Sequence, residues 1–181
     1  AEKGAEIFDA DGAAKRILRQ SEEIQQRLAQ EFGNSILDAH GGIIFGRLAD
    51  AAFASTQKQE RLNALIHPIL VNEILKCMRR AEDRGTLLFV LDAALLFEAG
   101  WDQYMDISMT ITADEEIRVT RALARRPDLT EADIRRRMQL QLPEHEKAAR
   151  ADHTLLNNGT MNEFRQAAEE LYILLLSGEL G

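Results

Sequence analysis

Ala5-Glu6-Ile7-Phe8-Asp9-Ala10-Asp11-Gly12 is a short apolar run closed by two carboxylates and a glycine, with a helical pattern following at once. The run is too brief for a helix and reads as a strand. Its acids then stand at a carboxyl end, where ligands gather in α/β proteins. Asp9 and Asp11 are therefore the first candidate site residues. The same two also suit local work, Asp9 closing a turn and Asp11 capping the next helix.

Downstream, Ile17, Leu18, Ile24, Leu28 and Phe32 recur at helical spacing and predict one amphipathic helix ended by Gly33. After a loop holding Gly41 and Gly42, residues 46–54 read as a short helix. Thr56 with Gln59 then predicts a capping box that opens a long helix. Pro68 lies inside its pattern and predicts a kink or a break. The run Thr-Leu-Leu-Phe-Val-Leu at 86–91, ended by Asp92, fits a parallel strand buried on both faces. Apolar alternation at Met105, Ile107, Met109 and Ile111 predicts a third strand, and residues 153–157 a fourth. Thr112/Glu115, Thr130/Asp133 and Thr160/Glu163 read as helix-opening boxes. Strands alternating with helices predict a mostly parallel sheet with helices around it, and residues 34–84 an all-helical insertion.

The bulk composition narrows the function. With 181 residues, 45% hydrophobic and 29% charged, the chain can bury one good core. A net charge of −8 argues against general nucleic-acid binding. The single Cys77 permits no intrachain disulfide, and the absence of a zinc-type Cys/His spacing speaks against a structural metal. No apolar run approaches the roughly 18 residues of a membrane span, and a cytoplasmic location is expected. Residues 114–150 hold nine basic and eight acidic side chains, against the acidic balance elsewhere. Arg121 and Arg125 share a helix face, as do Arg137 and Gln141. Guanidinium forks suit phosphate oxygens, although a solvated face laced with ion pairs to Glu115, Glu116 and Asp133 has the same spacing. Strand-end acids plus such arginines suit phosphoryl transfer, but no G-x-x-x-x-G-K-[ST] loop occurs here.

Five motifs then follow one another in order: Asp9-Ala10-Asp11; Leu65-Ile66-His67-Pro68; Leu91-Asp92-Ala93-Ala94-Leu95-Leu96-Phe97-Glu98; the run from Arg137 through Gln141 and Pro143 to Lys147; and Ala151-Asp152 leading to Asn157-Asn158-Gly159. Together they resemble the dephospho-coenzyme A kinases, P-loop kinases of the nucleotide-kinase type. The resemblance implies an α/β fold of three layers, α/β/α, around a mostly parallel sheet, forming a single kinase domain. A helical acceptor-binding lobe at 34–84 and an arginine-rich helical lid at 114–150 complete it. It implies transfer of the ATP γ-phosphoryl group, with Mg2+, to the ribose 3′-hydroxyl of dephospho-coenzyme A. Asp11 becomes the base or hydroxyl-orienting carboxylate, with Asp9 supporting it or the magnesium water shell. Arg137, with Arg121 and Arg125, belongs to the lid over the phosphates. His67 and Pro68 shape the acceptor pocket, and Leu96, Phe97 and Glu98 line the site. Asn157 to Gly159 borders the adenine, while Gln141 and Lys147 lie in the lid motif without an assigned role.

The chain departs from the family pattern in three places. Ala94 stands where the family has proline, and a residue is added around Arg125 and Arg126, which leaves open the arginine that takes the lid role. Only eight residues precede Asp9, where the family has a strand and its phosphate-binding loop. The expectation is an intact polypeptide with a further N-terminal segment, and poor ATP binding without it. Two other readings stand beside this one: a P-loop nucleotide kinase with another acceptor, and a non-catalytic relic that binds coenzyme A-like ligands.

Overall fold

The computed structural model describes residues 4–178. The chain forms two compact units, Ala1–Ala94 and Leu95–Gly181. The first holds β1 (Glu6–Asp9), α1 (Ala10–Gln20), α2 (Glu22–Phe32), α3 (Phe45–Ala52), α4 (Thr56–Asp83) and β2 (Phe89–Asp92). The second holds β3 (Met109–Thr112), α5 (Glu115–Arg125), α6 (Glu131–Gln139), α7 (Glu144–Arg150), β4 (His153–Leu156) and α8 (Met161–Ser177). Both strand pairs are parallel, β1 with β2 and β3 with β4.

In the first unit, the β1–β2 register sets Ile7 against Val90, Phe8 against Leu91 and Asp9 against Asp92. Successive side chains alternate between faces, so Asp9 and Asp92 share a face with Ile7 and Val90. That face is open, with Ile7 51% and Val90 36% exposed, while Phe8 on the other face is buried. The expectation that 86–91 is buried on both faces is therefore not met, and Leu87 is 88% exposed. Among the described residues β2 pairs only with β1, and α4 packs against both strands. Leu28, Ile36 and Ile74, all fully buried, anchor the core of this unit.

Where the sequence predicts one helix up to Gly33, there are two. Ser21 ends α1 and caps α2, its hydroxyl accepting the Ile24 N–H at 3.3 Å. The buried Gln25 side chain donates to the Leu18 and Arg19 carbonyls that the break leaves without helical partners. A serine followed by two glutamates is an N-cap signal that outweighs the continuing apolar period. Gly33, at φ +90°, does end α2. The cap of α4 is Ser55, not Thr56, and Gln59 lies buried rather than reaching back to the cap. Pro68 breaks nothing, since α4 runs unbroken for 28 residues. Proline removes the hydrogen bond that residue 68 would donate to the Ala64 carbonyl and crowds that carbonyl with its ring, and the helix continues on both sides. At its far end Thr86 N–H bonds the Ala81 carbonyl and Gly85 N–H that of Glu82, the Schellman pattern, with Gly85 at φ +69°.

In the second unit, the boxes Thr130/Asp133 and Thr160/Glu163 form as predicted. Thr112/Glu115 does not; Asp114 holds the cap position of α5 without a side-chain bond. Residues 101–104 form a 3-10 turn, and of the alternating run that follows only Met109–Thr112 is strand. The buried residues here are Ser108 and Thr110, while Met109 and Ile111 are exposed. Asp152 joins the starts of β3 and β4, accepting both the backbone N–H and the hydroxyl of Ser108 at 2.7 Å. No residue of α8 is buried, although its apolar stripe is legible in the sequence.

Candidate active site

At the end of β1, Asp9 is the cap of α1, its Oδ1 accepting the Gly12 N–H at 2.8 Å. Gly12 leaves room for this carboxylate, because a Cβ at that position would collide with Asp9 Oδ2. Asp11 therefore does not cap; it sits in the first turn of α1. Loss of hydration pushes its carboxyl above the usual range, Lys15 pulls it down, and Asp9 and Asp92 raise it further. The sequence marks Asp92 only as a second strand end. The register makes it the neighbour of Asp9, a pairing that needs the fold.

His67 and Pro68 lie midway along α4, the histidine half-buried and its pKa lowered by that burial. A groove of 380 Å³ in the same unit runs between α2 and α4, lined by Arg27, Gln30, Glu31, Arg61, Ala64 and Leu65. Arg61 is paired there with Glu31.

The second unit gathers three predicted residues into one cluster. Glu98 Oε1 accepts the Leu142 N–H at 2.9 Å and meets Lys147 Nζ at 3.1 Å. Lys147, 8% exposed, also donates to Gln141 Oε1 at 3.2 Å. Phe97 is buried and Leu96 half-buried. Alongside, Arg118 pairs with Glu144 at 2.8 Å and ties α5 to α7.

A second predicted group also comes together. Arg121 donates from Nη1 to the Asn157 carbonyl at 2.6 Å and from Nη2 to that of Gly159 at 2.9 Å. The turn is held further by the Asn158 side chain, which accepts the Asp114 N–H. Both outer arms of this guanidinium are thus engaged with backbone. The exposed Arg125, on the same helix face, carries no such tie among the described residues. Other arginines are the ion-paired surface that the spacing also allowed: Arg126 with Asp128, Arg136 with Asp133, and Arg135 with Glu115, Glu116 and Glu131. Arg137 is half-buried, and its charge helps hold the Asp128 and Asp133 carboxyls low, behind the hydrogen bonds from Arg126 and Thr130.

Among the described residues no group of three or more His, Cys, Asp or Glu side chains is arranged to hold a metal ion. None of their helices is long and apolar enough to cross a membrane. Magnesium at phosphoryl-transfer sites takes one or two carboxylates and leaves the other positions to phosphate and water oxygens. The all-oxygen donors at the strand ends fit that mode.

The dephospho-CoA kinase family model matches residues 1–163. A dephospho-CoA kinase of Salinibacter ruber is 36% identical over 98% of this chain and 89% of its own length. That of Chlorobaculum tepidum is also 36% identical, over 98% and 86%. Among solved structures, TT1252 from Thermus thermophilus superposes with a TM-score of 0.74 at 28% identity, covering 95% of this chain and 85% of that one. Dephospho-CoA kinase from Campylobacter jejuni shares the fold at a TM-score of 0.69 and 21% identity, over 98% and 88%. With the strand-end acids, the long helix α4 and the arginine-rich helices all falling within the matched residues, the chain belongs to the dephospho-CoA kinase family.

Proposed function

We propose that the protein transfers the γ-phosphoryl group of ATP to the ribose 3′-hydroxyl of dephospho-coenzyme A, giving coenzyme A and ADP. The observation that carries this reading is the carboxylate group at the β1 and β2 ends within a family chain, above all Asp11. Its raised pKa suits a group that accepts or orients a hydroxyl proton, since a stronger base takes it more readily. Asp9 and Asp92 would hold magnesium through its water shell. The ion, arriving with ATP, supplies neutralisation of the charge that spreads over the transferred phosphate.

The chain acts as one kinase domain in this reading, with 34–84 as the acceptor lobe and 114–150 as the lid. His67 and Pro68 shape the acceptor pocket, and Leu96 and Phe97 line the site. Arg137 and Arg125 supply cations for the phosphates. Arg121 holds the turn at Asn157 and Gly159 that borders the adenine. The test is ADP and coenzyme A formation from ATP, magnesium and dephospho-coenzyme A by the full-length polypeptide. ADP release with a different nucleoside acceptor, and none with dephospho-coenzyme A, would favour another nucleotide kinase. Binding of the acceptor without turnover would favour a non-catalytic relic.

A further inference from the structure

Glu98 carries more structure than a residue lining a substrate pocket needs. Its Oε1 takes the Leu142 N–H and the Lys147 ammonium together. The Lys147 ammonium also holds the Gln141 side chain. Gln141 N–H is bonded to the Met138 carbonyl, and Leu140 N–H to that of Arg137. A continuous set of bonds therefore runs from Glu98, through the turn 140–143, into the last turn of α6, where Arg137 sits. The cluster is shielded from water, with side-chain exposures of 9% for Lys147 and 16% for Glu98. A charge pair so enclosed has few competing solvent partners and tolerates little displacement.

We infer that Glu98, Gln141 and Lys147 form a buried anchor that fixes the α6–α7 turn and so positions Arg137 for its role. They are positioning residues, acting through Arg137. The inference rests on the proposed kinase activity only for the role of Arg137; the anchor itself is a statement about the second unit.

The alternative is that Glu98 contacts the acceptor directly, and the two make different predictions. For an anchor, Lys147→Met and Glu98→Gln weaken the same step. Each lowers kcat at least tenfold and moves the KM for either substrate less than threefold, and the double variant is no worse than the more impaired single one. Arg137→Ala, made in the Lys147→Met background, costs far less than in the wild type, because Arg137 is already misplaced. Amide hydrogen exchange at 138–142 speeds up in both single variants, while the β3–β4 amides keep their protection. This readout needs no substrate, and Glu98→Gln, which keeps an acceptor for Leu142, serves if Lys147→Met does not fold.

A rise in the KM for dephospho-coenzyme A confined to Glu98→Gln would overturn the inference. Unchanged exchange at 138–142, or additive effects of Arg137→Ala and Lys147→Met, would do the same. Wild-type protein that makes no coenzyme A while exchange responds as described would instead remove the proposed activity and leave the anchor standing.

Discussion

The proposed role of Asp11 in turnover comes with a cost to the fold. Its carboxyl is raised, so relative to an Asp11→Asn variant the wild type loses stability as pH rises through the Asp11 titration, and the full benefit of the protonated form appears below the unfolded value of 3.8. Chemical denaturation of both proteins between about pH 3 and 7 should therefore show the difference moving in favour of the variant as pH increases. A difference that is flat with pH would contradict the raised carboxyl. The same substitution should lower kcat by about 10²–10⁴-fold while leaving ATP binding in place, as expected for loss of a general base. Gly12→Ala acts next door. Its Cβ would collide with Asp9 Oδ2 and displace the cap, so both thermal stability and turnover should fall. Asp9 and Asp11 are legible as candidates from the strand-end pattern, but which of them caps is not. That choice depends on where the helix starts, and Asp9 has the extended backbone a cap needs, at φ −80° and ψ 104°.

Two elements carry their own tests. Ser21 makes α1 and α2 separate helices, and Ser21→Ala should cost about 0.5–2 kcal/mol in equilibrium unfolding, the usual loss for an N-cap oxygen. Pro68 is the reverse case, a residue that α4 accommodates against its own propensity. Pro68→Ala restores a donor for the Ala64 carbonyl and should stabilise the protein by up to about 3 kcal/mol. If Pro68 shapes the acceptor pocket, the KM for dephospho-coenzyme A rises in the same variant. Stabilisation without that rise would make the proline a feature of backbone shape alone. Beside it, burial lowers the His67 pKa, so stability is present above its unfolded value of 6.5 and is lost as pH falls below that value. His67→Gln should flatten this acid limb of the melting temperature.

Across the molecule, the proposed ligands give a direct measurement. Binding to the native state alone stabilises by RT ln(1 + [L]/Kd), about 2.7 kcal/mol at a hundredfold excess over Kd. Magnesium-ATP and dephospho-coenzyme A should each raise the melting temperature, and Asp11→Asn should keep the shift with ATP. A full-length protein that shifts with neither ligand would count against the proposed activity.

Local rules carry much of the chain. Strand ends at Asp9 and Asp92, the stop at Gly33 and the boxes at Thr130 and Thr160 are all visible within a few residues. The stop and the boxes are decided by backbone groups no further than a helical turn away. Buried and open faces are less legible. The apolar members of β3 lie exposed while Ser108 and Thr110 are buried, because burial depends on which neighbour covers a face. The linkages that build the candidate site are outside local reach altogether. Glu98 with Leu142, Ser108 with Asp152, and Asp114 with Asn158 each join residues 44 apart. Arg121 bonds carbonyls 36 and 38 residues away. Residue types and spacing state which groups can donate, accept or carry charge. Which of them meet is set by the parallel register and by the packing of α5 through α7, and that is a property of the folded chain.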